Sequence, residues 1–155
     1  MIFGIITILL TLVPFIMFTQ PLFWAYAGAG RDIANAVYKE ISCYEGIRFD
    51  GENILYIIGV VCMIFALVMA VVTAILTILN MVAKSNGHKK VVGVKVCAFF
   101  FFLMMLASVV LVGVYYGLAC NVKTFDDLLA GTVGYGLLGS FVASLFALIF
   151  APKKK

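Results

Sequence analysis

The side chains with the most evident chemistry in this chain are its four cysteines. Cys43 precedes the second long apolar stretch and Cys120 follows the third, so each lies in a polar connection. If both connections lie on one side of a membrane that faces an oxidising compartment, a disulfide can join them. The alternative is four unpaired thiols that pack as small apolar groups. The chain has no Cys-x-x-Cys pair, which argues against a thiol–disulfide enzyme.

A second motif that suggests chemistry is Thr-Val-Gly-Tyr-Gly at 132–136, the signature of a potassium-channel selectivity filter. A filter requires a loop of backbone carbonyls, after which the chain must cross the membrane again. Only residues 137–150 remain before Pro152 and three lysines. They rise about 21 Å as a helix, which is less than the roughly 30 Å of a hydrocarbon core. The glycines are better explained as small residues of a packed helix.

Catalytic and metal-binding patterns are missing from the sequence. No Asp, Glu, Arg or His lies within the long apolar stretches, although transporters and proton-coupled proteins usually carry such groups at depth. The single histidine, His88, lies among lysines. Glu45, Asp50 and Glu52 do not have the spacing of a calcium-binding loop. We therefore expect no enzyme activity, no bound metal and no cofactor.

The elements that position these residues follow from the composition, which is 65% hydrophobic and only 12% charged. A soluble domain carries roughly 25% charged residues, so lipid must cover much of this surface. The sequence predicts a single all-α domain, an integral membrane four-helix bundle. Its helices are expected at about 2–20, 53–83, 91–119 and 124–151.

Charge is separated along the chain, and this separation predicts the topology. Seven lysines without any acid occupy 84–95 and 153–155, whereas all seven acidic residues lie at 32–52 and 126–127. The positive-inside rule puts the lysine segments, and with them both termini, in the cytoplasm. The inner basic loop is then 84–90 and the long outer loop 21–52. The net charge of +4 is thus no nucleic-acid signal; we expect a multipass protein of the cell membrane or of an organelle inner membrane.

The long outer loop is the largest polar surface and the expected place of partner contacts. Ile33, Val37 and Ile41 recur at intervals of four residues, which predicts a short amphipathic helix. This helix either docks a partner or lies on the membrane or the bundle. Aromatic residues at 23, 24 and 26 are typical of an interfacial belt.

Small residues recur at helical spacing in the predicted membrane helices, and such strips let helices approach closely in lipid. They are candidates for packing within the bundle, with self-association as the alternative. The candidate helix-packing residues are Gly113, Gly117, Gly136, Gly139, Ser140, Ala143 and Ser144.

The layout resembles the claudin/PMP22 group of four-span membrane proteins, with both termini inside, a long first outer loop and a short basic inner turn. The first loop of that group carries a Trp, then a Gly-Leu-Trp, then a pair of cysteines. In this chain Trp24 and Cys43 each fill one of these positions. The Gly-Leu-Trp and the second loop cysteine are absent, and the predicted loop helix differs from that group's strand-rich loop. The resemblance implies lateral assembly or cell contact without catalysis.

These observations together predict a small membrane protein that acts as a structural or accessory subunit through helix-face and outer-loop contacts. Its expected partners are the lipid bilayer and other membrane protein subunits or further copies of itself. The alternative is a pore or transport component of an oligomeric assembly, for which the motif at 132–136 is the sequence support.

Overall fold

The computed structural model describes residues 2–19, 21–27, 37–42, 54–86, 93–119 and 135–152. In this part of the chain four helices carry the fold, and two strands follow the first helix. The elements are α1 (Ile2–Met17), β1 (Pro21–Ala27), β2 (Val37–Ser42), α2 (Ile54–Ser85), α3 (Val94–Ala119) and α4 (Tyr135–Phe150). The first three helices lie within about three residues of their predicted bounds. Helix α4 is described from Tyr135, so the predicted start at 124 lies outside the described residues.

Neighbouring helices run antiparallel around the bundle: α1 contacts α2 and α4, and α3 also contacts both of these helices. The rings of Phe3 and Phe150, whose centroids are 6.0 Å apart, join the start of α1 to the end of α4. The rings of Tyr56 and Tyr115, 5.2 Å apart, join the start of α2 to the end of α3. The bundle therefore has two ends, each formed by four helix termini.

We name these ends by their contents. The basic end holds the start of α1, the end of α2, the start of α3 and the end of α4. The hairpin end holds the other four helix termini together with the strands. The residues that mark the basic end are Ile2, Ser85, Val94 and Phe150, and those that mark the hairpin end are Met17, Ile54, Ala119 and Tyr135.

The strands form an antiparallel hairpin whose first strand contacts α4. Tyr26 is paired with Tyr38, and the register is irregular between Pro21 and Phe23. The predicted loop helix is therefore wrong where the structure describes it, because Val37 and Ile41 lie in β2. A spacing of four residues fits the two-residue period of a strand as well as a helical turn. Pairing with β1 satisfies backbone groups of both segments at once.

Helix lengths divide the bundle into two pairs. Helix α2 has 32 residues and α3 has 26, and both are long and apolar enough to cross a membrane. Helices α1 and α4 have 16 residues each. At 1.5 Å per residue the α2 axis is about 48 Å long, and those of α1 and α4 are about 24 Å. We refer to α2 and α3 as the long pair and to α1 and α4 as the short pair.

The start of α3 depends on a glycine. Gly93 has a φ of 115°, a left-handed conformation that L side chains rarely adopt. Its carbonyl accepts a hydrogen bond of 2.9 Å from the Cys97 N–H, which begins the helical ladder. The chain thereby turns from the segment after α2 into α3 at the basic end.

Buried residues recur in every helix at alternating intervals of three and four. This spacing averages 3.5 residues, the period of left-handed, knobs-into-holes packing. We call the buried positions that follow it the seam of the bundle. In α1 and just after it the buried positions are Gly4, Thr7, Thr11, Pro14 and Phe18. In α2 they are Tyr56, Gly59, Met63, Ala66, Ala70, Thr73 and Thr77, with Val60 beside them. In α3 they are Val94, Ala98, Phe101, Met105, Ser108 and Val112. In and just after α4 they are Leu137, Ser140, Ser144, Ala147 and Ala151, with Ala143 beside them.

Candidate functional site

Hydroxyl groups line the interior of the bundle. Six of the buried Ser and Thr side chains donate a hydrogen bond to a backbone carbonyl of their own helix, at 2.6–2.8 Å. The six are Thr7, Thr11, Thr73, Thr77, Ser140 and Ser144. Each is satisfied within one helix, so the interior accepts polar atoms without requiring a partner across the interface. In these contacts the hydroxyls serve packing and carry no nucleophile-and-base arrangement.

The seventh buried hydroxyl is different. Ser108 in α3 is fully buried, and within the part of the chain that the structure describes its Oγ has no hydrogen-bond partner. A buried polar atom without a partner costs roughly 1–3 kcal/mol relative to a satisfied one. Ser108 is therefore a weak point of the seam, one turn before the close contact that α3 makes with Gly59.

Three glycines mark close approaches between helices. A Cβ atom on Gly59 would lie 2.9 Å from Val112 Cγ2, 3.3 Å from Leu111 Cβ and 3.4 Å from the Val112 backbone nitrogen. A Cβ on Gly4 would lie 2.8 Å from Met81 Sδ, and one on Gly139 would lie 3.0 Å from Met17 Sδ. The contact of Gly59 is with branched and backbone atoms, whereas the other two are with the flexible ends of methionines.

The candidate helix-packing residues all lie in α3 and α4, and most of them are buried inside the bundle. Gly113 and Gly136 are buried, as are Ser140, Ala143 and Ser144. Gly139 is half-buried against Met17, and Gly117 lies in α3. The buried members lie inside the bundle of this chain, so any surface for another subunit would have to consist of other residues.

Sequence reasoning missed part of this seam. It considered small residues at intervals of four and therefore passed over Gly4, Thr7 and Thr11 in α1, and Thr73 and Thr77 in α2. The signal that would have found them is the alternation of three and four residues among glycine, alanine and threonine. Gly59 lies on the same spacing, but its partner Val112 is evident only when α2 and α3 are side by side.

Several residues of the predicted sites lie outside the described residues. They are the candidate disulfide pair Cys43 and Cys120, the candidate docking residue Ile33 and the first three residues of the motif at 132–136. The last two residues of that motif, Tyr135 and Gly136, are helical and begin α4. Cys62 and Cys97 are half-buried free thiols in α2 and α3. Within the described ranges no group of three or more His, Cys, Asp or Glu is placed to hold a metal ion.

The outer surface of the bundle is apolar on all four helices. Ile2 in α1, Ile54 in α2, Val96 in α3 and Ile149 in α4 are each 58–73% exposed. Soluble proteins also expose apolar atoms, but they rarely present large aliphatic and aromatic side chains along the whole length of every helix. Here large apolar side chains cover the outside, whereas Gly, Ala, Ser and Thr recur at the buried positions beside larger residues such as Phe101 and Met105.

The two ends differ in charge. Lys84 in the last turn of α2 and Lys95 in the first turn of α3 are exposed at the basic end. At the hairpin end β2 contains Lys39 and Glu40. All other acidic residues precede α2 or lie between α3 and α4 in sequence, which are the segments that connect at this end.

No protein-family model, no curated protein and no solved structure matches this chain. Its function must therefore be argued from the geometry of the bundle and its two ends. The resemblance to the claudin/PMP22 group concerns the layout alone.

Proposed function

We propose that this chain is a multipass membrane protein that crosses the bilayer four times, with both termini in the cytoplasm. It acts as a structural or accessory subunit and contacts other membrane proteins, or further copies of itself, through its outer helix faces and its hairpin end. The observation that carries this proposal is the distribution of side-chain size and polarity. Hydroxyls and small residues recur along the buried seam beside larger core residues such as Phe101, and large apolar side chains cover the outside.

Lipid is the solvent that fits this distribution. In a bilayer no hydrophobic effect drives helices together, so they associate through close packing of small residues and through hydrogen bonds. The close approaches of helices at Gly4, Gly59 and Gly139 are features of this kind. Six of the buried hydroxyls bond within their own helices, so these small side chains add little bulk to the interface. Exposed apolar residues such as Phe65 and Val110 would contact acyl chains.

The short pair requires a further argument, because 16 helical residues span about 24 Å and a hydrocarbon core is about 30 Å thick. Phe18 and Thr19 extend α1 by hydrogen bonds to Pro14 and Ile16. A bilayer also thins locally beside a short apolar helix at a modest energy cost. Four crossings are therefore compatible with these helix lengths.

The hairpin end is the better candidate for contact with another protein. Among the described residues each strand pairs with one neighbour only, so β1 and β2 both have a free edge. A two-stranded hairpin is marginally stable by itself, and an exposed edge can accept a strand from a partner. The contact between β1 and α4 holds the hairpin against the bundle.

The proposal is tested by purifying the full chain in a mild detergent and measuring the mass of the protein in the micelle. We expect an oligomer or a stoichiometric complex with a co-purifying membrane protein. The double variant Ala25→Pro/Lys39→Pro disrupts a paired position of the hairpin and should reduce assembly while the helical circular dichroism is retained. Ala25→Ser/Lys39→Ser is the matched control. A strictly monomeric wild-type protein without any partner contradicts the proposal.

Ion flux measured in liposomes separates this function from the pore alternative. Because Tyr135 and Gly136 are helical, they do not supply the extended ring of carbonyls that a filter requires. We expect no potassium flux above that of protein-free vesicles. Flux that is abolished by Gly134→Ala would instead favour the pore.

A further inference from the structure

Packing at the basic end brings together two parts of the chain that are distant in sequence. Val94, Ala98 and Ala151 form a small buried cluster, with Leu76 and Leu148 packed against it. Ala151 therefore fixes the end of α4 beside the start of α3. The ring of Phe150 contacts that of Phe3, which fixes the start of α1 at the same place.

This arrangement concentrates positive charge. Val94 immediately precedes Lys95, and Ala151 is followed by Pro152 and by the lysines at 153–155. Lys84 and Lys95 are exposed, and the segment between α2 and α3 contains Lys89 and Lys90. No acidic residue occurs from 53 to 125 or from 128 to 155, so the sequence supplies no carboxylate near these lysines along the chain. Among the described residues Lys84 and Lys95 are thus exposed cations with no acidic neighbour along the chain, and an external anion can neutralise them.

Apolar surface begins directly beside these lysines. Lys95, Phe99 and Leu103 are exposed at intervals of four along one side of α3. Val82 is exposed two residues before Lys84, and Phe3 is exposed at the start of α1. A molecule with an anionic head and long apolar chains matches both features, because its head can contact an ammonium group while its chains follow the helix.

We propose that the basic end binds the phosphate-bearing headgroups of anionic lipids in the cytoplasmic leaflet, with acyl chains along the exposed face of α3. This inference rests on the proposed membrane insertion. The occupant is a lipid and not a soluble anion because the charged and the apolar surfaces are continuous at Lys95 and Phe99. A lysine cluster directly cytoplasmic of membrane helices attracts anionic lipid by about 1 kcal/mol per lysine, or about fivefold in affinity.

The test uses the full chain reconstituted in vesicles that contain equal amounts of phosphatidylglycerol and phosphatidylcholine with identical acyl chains. The protein is extracted in mild detergent, washed at low salt, and its retained lipids are quantified by mass spectrometry. We expect phosphatidylglycerol to be enriched over phosphatidylcholine. Lys84→Gln/Lys95→Gln should lower the enrichment by roughly 20-fold or more, since each lysine contributes about fivefold. A wash at high salt should reduce it as well.

Three controls make the result specific to this end. Lys39→Gln/Lys123→Gln removes the same charge from outside the basic end and should leave the enrichment unchanged. Lys84→Arg/Lys95→Arg retains the charge and should retain the enrichment. Replacing the lysines at 153–155 by glutamine leaves the described helices untouched and should also lower it, which excludes misfolding as the cause.

Two results would overturn this inference. One is equal retention of both lipids by the wild-type protein. The other is an unchanged enrichment of phosphatidylglycerol in Lys84→Gln/Lys95→Gln. If this variant also loses binding of inorganic phosphate in lipid-free detergent, the site belongs to a free anion. The failure of the proposed function looks different, because a chain that does not insert remains extractable from the vesicles by alkaline carbonate without detergent.

Discussion

The long pair and the short pair are both apolar and both pack through glycine, but their contacts differ in rigidity. In the long pair Gly59 faces Val112 and the backbone of α3. In the short pair Gly139 of α4 faces the thioether of Met17. A β-branched side chain and a backbone cannot move aside, whereas methionine has three rotatable bonds and adapts its shape.

This difference suggests that the two pairs have different structural roles. Helices α2 and α3 are each long enough to cross a bilayer. The close contact between Gly59 and Val112 fixes the position of the two helices relative to each other. The short pair adds hydroxyl-lined surface. Its methionine contacts, Gly139 with Met17 inside the pair and Gly4 with Met81 of α2, tolerate small shifts. We expect the long pair to act as the rigid frame on which α1 and α4 pack.

The largest effect expected is in topology, because it is all or none. If the short pair crosses the membrane, the segment after α2 and the carboxyl end lie on one side and the hairpin on the other. In a cysteine-free background, Asn86→Cys and Lys154→Cys in sealed right-side-out vesicles should react with an impermeant maleimide only after permeabilisation. Lys39→Cys should react without it. Labelling of Asn86→Cys and Lys154→Cys from opposite sides would show that α4 does not cross.

The next largest effect is expected at Gly59. Leucine at this position places several atoms where Val112 Cγ2 and Leu111 Cβ already lie, so the long pair must separate. Overpacking of this kind destabilises a fold by about 1–3 kcal/mol. Reversible unfolding in mixed detergent–SDS micelles measures the change for Gly59→Leu. The neighbouring exposed Ile58→Leu is the control and should change stability little; equal effects would mean that the two helices are not in contact at Gly59.

Alanine at the three close-contact glycines tests the difference in rigidity directly. Gly59→Ala should destabilise the protein more than Gly139→Ala or Gly4→Ala, because only the methionine contacts can relax. The same unfolding assay gives the ranking. Met17→Val removes the flexibility at Gly139, so Gly139→Ala should become more destabilising in that background. If alanine costs the same at all three glycines, the proposed difference between the pairs is wrong.

The sequence could predict those parts of the fold that depend on local runs of residues, but not those that depend on pairing between distant segments. The helices at 2–17, 54–85 and 94–119 were predicted closely because charged or polar segments interrupt long apolar runs. Such runs are a local signal, and the hydrocarbon thickness sets their length. The strand at 37–42 was wrongly predicted as a helix, because intervals of four fit both periods and only the pairing with β1 decides between them.

The seam was less predictable for a different reason. Threonine at Thr7 or Thr77 interrupts an apolar run only slightly, and its inward position depends on which neighbours surround the helix. The contact of Gly59 with Val112 depends on the register of α2 against α3, which is a property of two helices together. Charge was informative in sequence because seven of the nine lysines fall in two segments that contain no acidic residue. Only the packing of Ala151 on Val94 shows that these segments meet.

The smallest effect expected concerns the buried hydroxyls, and it has opposite signs at two positions. Thr77→Val keeps the side-chain shape but removes the 2.7 Å hydrogen bond to the Thr73 carbonyl, and should destabilise the protein by about 0.5 kcal/mol, the low end for an intramolecular hydrogen bond. Ser108→Ala removes a buried oxygen that has no partner among the described residues, so it should stabilise the protein by up to about 1 kcal/mol. Both changes are measured in the SDS unfolding assay. A loss of stability in Ser108→Ala would mean that Ser108 Oγ has a partner in the membrane-embedded protein, and the weak point in the long pair would then be a polar contact.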